Sequence, residues 1–350
     1  MMTVFLVDLE AVETRYTGQW KTHVPELLSS QGHDVYVIEG PTDIPAATTP
    51  GAFLNFGGTN IYKARQVEEM SRLFTSGNVK QGDHFLFTDA WHPGIINLKY
   101  MSELLGIKVT IHALWHAGSY DPQDFLGRLI GDAPWVRYAE KSFYNAIDYN
   151  YFATDFHINM FAENLVGHWD DLASIIRTGW PMEYMPAMFE PFKAIPKRDL
   201  IVFPHRLAPE KQVEIFRDLQ ASMPEYEWIV CQDTPLNKIQ YHMLLASAKM
   251  VFSANLQETL GISCYEGGLV GAVPFVPDRL SYSEMYDDVF KYPSEWTESW
   301  DSYIKHKDGL MALIVAHMEN YEQNLSKIQQ QADSLTKNFF SATTLLENLK

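Results

Sequence analysis

The sequence has few cysteines and no long apolar run. Cys231 and Cys264 are its only cysteines, and both lie in apolar patterns, as expected of buried free thiols in a reducing compartment. No stretch reaches the roughly 18–20 apolar residues of a membrane span. The first ten residues lack a basic region and include Asp8, which predicts a strand and not a signal peptide. We therefore expect a cytoplasmic protein.

Basic charge is also scarce. The chain has 27 Lys and Arg residues and 44 Asp and Glu residues, which gives a formal net charge of −17. Strong non-specific binding to nucleic acid is therefore not expected from charge, although composition does not exclude a local basic groove. The chain is 46% hydrophobic and 20% charged, as in ordinary globular proteins. Its 350 residues are long for one core and typical of two domains of about 150–200 residues.

Short apolar runs alternate with helical patterns along the chain, as in parallel βαβ units. Prolines at positions 181, 186, 191 and 196 predict an irregular crossing between domains. The fold expected is α/β, with two Rossmann-like doubly wound domains facing a central cleft. We place the N-terminal acceptor domain at 1–190 and the C-terminal donor domain at 191–325. Residues 326–350 are expected to form a helix returning toward the first domain.

Two carboxylates bracket a glycine-containing turn in the segment Glu258-Thr-Leu-Gly-Ile-Ser-Cys-Tyr-Glu266. The turn follows an apolar strand and opens a predicted helix. An ionised carboxylate only accepts hydrogen bonds, so it suits the hydroxyls of a sugar or ribose. Amides at a helix start can bind phosphate oxygens. The segment therefore predicts a nucleotide-sugar site.

Arg206 and Lys211 lie in the predicted loop between the first strand and first helix of the second domain. Such loops bind ligands in α/β sheets, and two cations there can hold a diphosphate as it leaves. A solvated loop with surface charges is the alternative. The proximity of the Glu258–Glu266 segment to the same sheet edge favours the diphosphate interpretation.

The two motifs together resemble the retaining glycosyltransferases of the two-Rossmann-domain (GT-B) type, and family four in particular. His205-Arg-Leu-Ala-Pro-Glu-Lys-Gln212 is similar to the family's R-x4-K loop, and the segment from Glu258 to Val276 is similar to its E-x7-E motif. The sequence departs from the family at its first and last loop positions, His205 and Gln212, where small residues are usual.

The resemblance implies a role for each motif residue. Arg206 and Lys211 would hold the donor diphosphate, with backbone amides near Leu260 and Gly261 meeting the phosphate and sugar. Glu258 would accept from the transferred sugar, and Glu266 would accept from the ribose.

The first domain resembles the family only in outline. Gly18 lies in the segment that corresponds to the family's glycine-containing first loop, and a plain turn is the alternative. A family histidine after the fourth strand contacts the reacting sugar, which makes His112 and His116 the catalytic candidates. Each of these histidines can instead be structural. The acceptor-binding candidates lie near predicted strand ends and are Asp89, His92 and Trp115.

These features predict a retaining glycosyltransferase, a hexosyl- or pentosyltransferase that uses a nucleoside-diphosphate sugar, with UDP-sugar favoured. No cofactor and no metal are expected. A nucleotide-sugar epimerase, a sugar phosphorylase or a non-catalytic sugar-binding subunit remain alternatives.

The acceptor is the part that the sequence specifies least. The chain is similar to transferases of tailed bacteriophages that modify hydroxymethylated DNA bases, which would imply base flipping and a location in the host cytoplasm. A glycan, lipid or small metabolite is the alternative acceptor. If DNA binds, the candidate phosphate contacts are Lys63, Arg65, Arg72 and Lys99.

Overall fold

The computed structural model describes residues 2–12, 15–45, 54–131, 133–167 and 172–350. The chain divides into two compact units. The first comprises residues 1–181 together with 342–350, and the second comprises residues 182–341. Each unit is built on one parallel β-sheet.

The first unit has a six-stranded parallel sheet in the order β2-β1-β3-β4-β5-β6. Its strands are β1 (Thr3–Val7), β2 (Asp34–Ile38), β3 (His84–Phe87), β4 (Thr110–Leu114), β5 (Tyr149–Phe152) and β6 (Ile175–Arg177). The inner strands are almost entirely buried, because helices cover both faces of such sheets and select continuous apolar runs.

Helices connect these strands. They are α1 (Thr17–Ser30), α2 (Phe56–Thr75), α3 (Gly94–Leu104), α4 (Phe125–Ile130), α5 (Pro134–Ala146) and α6 (Asp155–Phe161), with a π-helical turn at Ala162–Val166. Gly32 and Gly106 have φ angles of +87° and +66° just beyond α1 and α3. Both glycines end a helix in the left-handed conformation, which glycine adopts without a Cβ clash.

The second unit has a five-stranded parallel sheet in the order β11-β10-β9-β7-β8. Its strands are β7 (Arg198–Phe203), β8 (Glu227–Val230), β9 (Ala248–Phe252), β10 (Val273–Pro277) and β11 (Lys291–Tyr292). The remaining helices are α7 (Met185–Phe189), α8 (Val213–Ser222), α9 (Lys238–Ser247), α10 (Ile262–Leu269), α11 (Tyr282–Met285), α12 (Trp300–Glu319), α13 (Tyr321–Asn338) and α14 (Thr343–Glu347), the last of which belongs to the first unit. Across the described part of the chain, every helix is too short or too polar to cross a lipid bilayer.

The proline-rich segment is more regular than the sequence predicts, because it contains α7. Pro186 lies in the first turn of this five-residue helix. A proline is tolerated there, since the first backbone N–H groups of a helix have no intrahelical partner.

Each sheet has a point at which its strand order reverses. In the first unit this point lies between β1 and β3, and in the second it lies between β7 and β9. The connections that leave the two strands run to opposite faces of the sheet, which opens a crevice at the carboxyl ends where ligands bind. In the second unit the loops after β7 and β9 carry the two motifs that the sequence singles out.

Candidate active site

Lys211 brings the two sequence motifs of the second unit together. It ends a 3-10 turn after β7, and its side chain is almost fully buried. Its ammonium group donates to the backbone oxygen of Gln257 at 2.6 Å and lies 3.4 Å from Oε2 of Glu258. The R-x4-K loop and the E-x7-E segment therefore meet at the strand-order reversal of this sheet.

Glu258 is a carboxylate held in its ionised form. Its Oε1 accepts from the backbone N–H groups of Thr259 at 3.2 Å and Leu260 at 3.4 Å. Burial by itself would raise the pKa of Glu258. The charge of Lys211 and the backbone N–H of Gly261 outweigh burial and lower the pKa to about 2. The group is therefore a pure hydrogen-bond acceptor near neutral pH, as a sugar hydroxyl requires.

Gly261 shapes the turn that follows Glu258. It caps α10 in the left-handed conformation with φ of +67°. A Cβ at this position would lie 2.5 Å from Cε1 of Tyr282, so both backbone conformation and space require glycine. The first amides of α10 have no intrahelical acceptor and carry the positive end of the helix dipole. This turn therefore presents N–H groups suited to a phosphate.

Glu266 lies one helical turn into α10. Its Oε2 accepts from the hydroxyl of Tyr241 on α9 at 2.8 Å. Burial raises the pKa of Glu266 to about 7, although Tyr241 and Lys238 act in the opposite direction. Four residues of helix span about 6 Å, so this carboxyl lies within a nucleotide's reach of the α10 N-terminus.

Arg206 is fixed to the loop after β7 by an ion pair. Its guanidinium lies 2.5 Å from Oε1 of Glu210, and the Glu210 side chain is fully buried. The Arg206 side chain is itself 36% exposed. Because a guanidinium carries five N–H donors, those not facing Glu210 remain available to a ligand.

Gln212 ends the loop after β7 in an unusual backbone conformation. It has a φ angle of +53°, in the left-handed region that favours glycine. Its buried side-chain amide donates to the backbone oxygens of Ala254 at 2.6 Å and Thr297 at 2.7 Å. These two bonds offset the strain of a left-handed non-glycine residue, about 1–2 kcal/mol.

His116 lies beyond the end of β4, in the first unit. Its Nε2 is 2.6 Å from the backbone oxygen of Thr88, and its Nδ1 is 2.6 Å from the hydroxyl of Tyr16. A carbonyl only accepts, so Nε2 carries the proton and Nδ1 accepts from the tyrosine. Burial lowers the pKa of His116. The ring packs 4.2 Å from that of Trp180, which fixes a neutral imidazole at the sheet edge.

Asp89 follows β3 at the same edge of the first sheet. Its Oδ2 lies 3.1 Å from the ammonium of Lys63, and its Oδ1 accepts from the backbone N–H of Trp91 at 3.1 Å. Burial acts to raise the pKa of Asp89, but Lys63 and His116 outweigh it and lower the pKa. Asp89 and His116 are thus electrostatically coupled.

His112 does not lie at the edge of the sheet, contrary to our prediction. It is fully buried within β4, with Nε2 2.8 Å from Nδ1 of His84 and Nδ1 3.0 Å from the Tyr151 hydroxyl. Burial lowers its pKa to about 3. The resemblance matches the family strand to Val109–Ile111, whereas β4 continues to Leu114. His116 is therefore the histidine near the carboxyl end.

His92 and Trp115 are buried in the first unit, so neither presents a surface for an acceptor. His92 accepts from the Gly94 N–H at 2.9 Å and faces Oε1 of Gln66 at 2.9 Å, which fixes the start of α3. Trp115 donates to Oδ1 of Asn150 at 2.8 Å inside the core. The sequence places both just beyond strands, where buried and ligand-facing side chains look alike.

Gly18 lies in the first turn of α1 and is partly exposed. The segment that corresponds to the family's first loop is helical from Thr17 onward. The structure therefore places Gly18 at the N-terminal end of a helix that follows β1.

Two acidic residues after β1 were absent from our predictions. Asp8 accepts from the Tyr62 hydroxyl at 2.7 Å and pairs with Lys21 at 3.1 Å, and burial raises its pKa to about 6. Burial also raises the pKa of Glu10. Their position at the carboxyl end of the strand beside the order reversal is the signal that identifies them.

The four cations suggested for DNA binding all lie within 4 Å of acidic side chains. The pairs are Lys63 with Asp89, Arg65 and Arg72 with Glu68, and Lys99 with Glu103 and Asp148. Arg65 and Arg72 share one exposed face of α2 and both contact Glu68, whereas Lys63 is mostly buried and Lys99 lies on α3. The structure therefore gives no support to a basic surface built from these four residues.

Both cysteines are buried, and burial raises the pKa of each thiol to about 12. Such thiols are inert. Over the ranges that the structure describes, no group of three or more His, Cys, Asp or Glu side chains has an arrangement that would hold a metal ion.

Comparisons with known proteins identify the fold. No protein-family model and no curated protein matches the sequence. HepE from Anabaena, solved with UDP and glucose, is 13% identical with a TM-score of 0.59, over 100% of this chain and 99% of that one. The catalytic domain of starch synthase IV from Arabidopsis thaliana, bound to ADP and acarbose, is 12% identical with a TM-score of 0.60, over 99% and 97%.

A larger protein shares the architecture as well. The pneumococcal O-GlcNAc transferase GtfA, in complex with UDP and GlcNAc, is 12% identical with a TM-score of 0.53. The match covers 82% of this chain but only 58% of GtfA. At these identities the likeness establishes the fold alone, and the chain has the GT-B fold of glycosyltransferase structures.

Proposed function

We propose that the protein is a retaining glycosyltransferase that moves a sugar from a nucleoside-diphosphate sugar to an acceptor hydroxyl. The observation that carries the proposal is the contact of Lys211 with the Glu258 segment, beside the N-terminus of α10. A cation, backbone amides that donate to Glu258, and the ionised carboxylate of Glu258 thus lie beside the start of one helix. The fold supports the same assignment, because GtfA and HepE were solved with UDP. We favour UDP as the nucleotide for this reason.

Each part of the donor has a partner in the second unit. Arg206 and Lys211 hold the diphosphate together with the amides of Leu260 and Gly261. Glu258 accepts from hydroxyls of the transferred hexose or pentose. Glu266 accepts from the ribose diol and releases the Tyr241 hydroxyl as it does so.

The reaction needs no nucleophile from the protein. The acceptor oxygen bonds to the anomeric carbon on the face that the diphosphate leaves, while the bond from that carbon to the phosphate oxygen breaks. The acceptor proton passes to the departing phosphate. Arg206 and Lys211 stabilise the charge that accumulates there, and positioning supplies much of the remaining barrier reduction. The reaction therefore requires no metal cofactor.

In the first unit, we assign the acceptor side to Asp89 and His116, because both follow strands at the carboxyl edge of the sheet. Asp89 is ionised and accepts from a hydroxyl. His116 is neutral, with its protonated Nε2 on Thr88. Gly18 is assigned to backbone contact with the donor, at the start of α1. A hydroxyl of a glycan, lipid or metabolite is the proposed acceptor, since the candidate DNA contacts are committed to ion pairs.

Glu258→Gln is the direct test. It keeps the side-chain volume but replaces an oxygen acceptor with an amide and removes the charge that faces Lys211. We expect kcat/KM for a UDP-sugar to fall about 100-fold or more, as on loss of a preorganised charge-stabilising group. The measurement is UDP release from a panel of UDP-sugars with pooled acceptors, in the presence of a metal chelator.

The control is Glu214→Gln, which removes a carboxylate from the exposed side of α8 and should retain full activity. Wild-type activity in Glu258→Gln would overturn the donor assignment. A labelled donor separates the alternatives. A transferase moves the label onto an acceptor, whereas an epimerase leaves it on the nucleotide.

A further inference from the structure

His205 occupies the loop after β7 at a position where the family has a small residue. Its side chain is 4% exposed. Nδ1 lies 3.4 Å from the hydroxyl oxygen of Ser263, in the first turn of α10. Nε2 is buried and has no partner in hydrogen-bonding geometry. The imidazole therefore lies against the N-terminus of α10 with one nitrogen unused.

An unused nitrogen in a buried imidazole requires an explanation. Leaving such a group unpaired costs about 1–3 kcal/mol. Both nitrogens of the buried His112 and His92 have partners. One nitrogen of His157 and one of His242 have none, but these two rings pack among aromatic side chains. His205 differs from them because it lies beside Ser263 at the start of α10, where a ligand that accepts a hydrogen bond would complete its arrangement.

The charges around His205 indicate what kind of ligand this is. Burial and the cation of Lys211 lower the pKa of His205 to about 3, while Glu258 and the Phe252 carbonyl act in the opposite direction. The ring is therefore neutral, and it offers a hydrogen-bond donor and not a charge. The ring lies against the first turn of α10, and the cation of Lys211 is close enough to lower its pKa. A phosphate group supplies acceptor oxygens for a donor beside a helix N-terminus and a cation.

We propose that His205 donates a hydrogen bond to the terminal phosphate of the nucleoside diphosphate, beside Ser263 and the α10 amides. This inference rests on the proposed function, because Glu258 is there assigned to the transferred sugar. The phosphate bonded to that sugar is the terminal one, and His205 and Lys211 are the residues next to Glu258. The imidazole thus replaces the backbone contact that a smaller residue would allow.

Binding of UDP and UMP to His205 variants tests the assignment, since UMP lacks the terminal phosphate. His205→Leu removes the donor, and we expect it to weaken UDP about 10-fold, equivalent to about 1.4 kcal/mol, with UMP affinity unchanged. His205→Gln restores an N–H donor and should remain within about 3-fold of wild type. Isothermal titration calorimetry measures each affinity.

His242→Leu is the matched control. His242 is also 4% exposed in the second unit with an unpaired Nε2, but it packs against Phe189 and Phe192. We expect its UDP and UMP affinities to equal those of wild type. Equal losses of UDP and UMP in His205→Leu would indicate a disturbed loop and overturn the proposal, as would unchanged UDP affinity.

An NMR measurement on the wild-type protein keeps the test independent of variant folding. With ¹⁵N-labelled histidine, UDP should shift one imidazole resonance that UMP leaves in place, and that resonance should be absent in His205→Gln. If UDP binds and no histidine resonance responds, His205 is not a phosphate ligand. If the wild type binds neither UDP nor ADP, the donor proposal itself is wrong, and the assignment of His205 is overturned with it.

Discussion

Glu258 and Glu266 are the same chemical group in opposite electrostatic states. The pKa of Glu258 is lowered to about 2, because Lys211 and backbone N–H groups outweigh burial. The pKa of Glu266 is raised to about 7, because burial dominates over the single hydroxyl of Tyr241. Glu258 is therefore ready to accept before any ligand arrives, whereas Glu266 becomes ionised only near neutral pH.

The raised pKa of Glu266 means that the stability of the fold should depend on pH. The folded protein holds this proton more tightly than the unfolded chain, so stability is lost as pH rises from about 4.5 to about 7. Glu266→Gln removes the penalty and keeps an oxygen acceptor for Tyr241. We expect its stability relative to wild type to increase by roughly 1–2 kcal/mol between pH 5 and pH 8. Urea unfolding at a series of pH values measures the difference.

Glu214→Gln, on the exposed side of α8, controls for the loss of one negative charge. A Glu266→Gln advantage that is constant across this pH range would contradict the assignment of a raised pKa. Donor affinity gives a separate readout, since Glu266→Gln should weaken UDP at pH 8 even while it stabilises the fold.

At the residue scale, the sequence predicts motif residues better than isolated ones. Arg206, Lys211 and Glu258 occur in spaced motifs, and the structure brings Lys211 and Glu258 into contact. His112 was identified only by its distance from a predicted strand end. Because successive strand residues face opposite sides and the strand extends to Leu114, an error of a few residues turns a core histidine into an apparent ligand.

Among the elements, α10 depends most on one residue. Gly261 holds the left-handed conformation that orients the Leu260 and Gly261 amides toward Glu258. Gly261→Ala places a Cβ 2.5 Å from the Tyr282 ring. We expect a loss of about 1–2 kcal/mol of stability from the backbone alone, together with weaker UDP binding. Thermal unfolding and calorimetry measure the two effects.

Gly268→Ala in the same helix is the control for this prediction. Its nearest non-local atom would be Cβ of Ala332 at 3.9 Å, an ordinary contact. We expect this change to be neutral or stabilising by up to about 1 kcal/mol, with UDP affinity unchanged. Equal behaviour of the two variants would show that the turn at Gly261 is not special.

Secondary structure could be predicted where the buried residues are apolar, but not where they are polar. The inner strands are visible in the sequence as apolar runs. In contrast, α2 buries Gly58, Thr59 and Gln66, and Gln66 donates to Asp8 and to the Ile38 carbonyl. These buried positions are not apolar, so they do not stand out as a hydrophobic face in the sequence. The two-residue strand β11 is too short to leave any pattern.

At the scale of the whole molecule, net charge bears differently on the proposed donor site and on the choice of acceptor. The net charge is −17, yet Arg206 and Lys211 stand beside an ionised carboxylate and a helix N-terminus. The proposed anionic donor would therefore meet a local arrangement that composition does not reveal. The suggested DNA contacts also have acidic partners, but all four lie within α2 and α3 and not in a loop between a strand and a helix, as Arg206 and Lys211 do.

DNA binding tests this difference directly. Non-specific DNA-binding proteins reach Kd values of about 10⁻⁴–10⁻⁶ M at physiological salt by releasing counterions from phosphates. We expect binding to a labelled hydroxymethylcytosine duplex to be weaker than about 10⁻⁴ M, because the formal net charge of −17 repels the backbone and each of the four candidate cations has an acidic partner. Fluorescence anisotropy at several salt concentrations measures the Kd, with UDP calorimetry on the same sample as the check on folding.

Micromolar binding that weakens steeply with salt and falls in Arg65→Ala or Lys99→Ala would contradict the expectation and restore DNA as the acceptor. Micromolar binding that is the same in these variants as in the wild type would indicate that DNA contacts another part of the molecule.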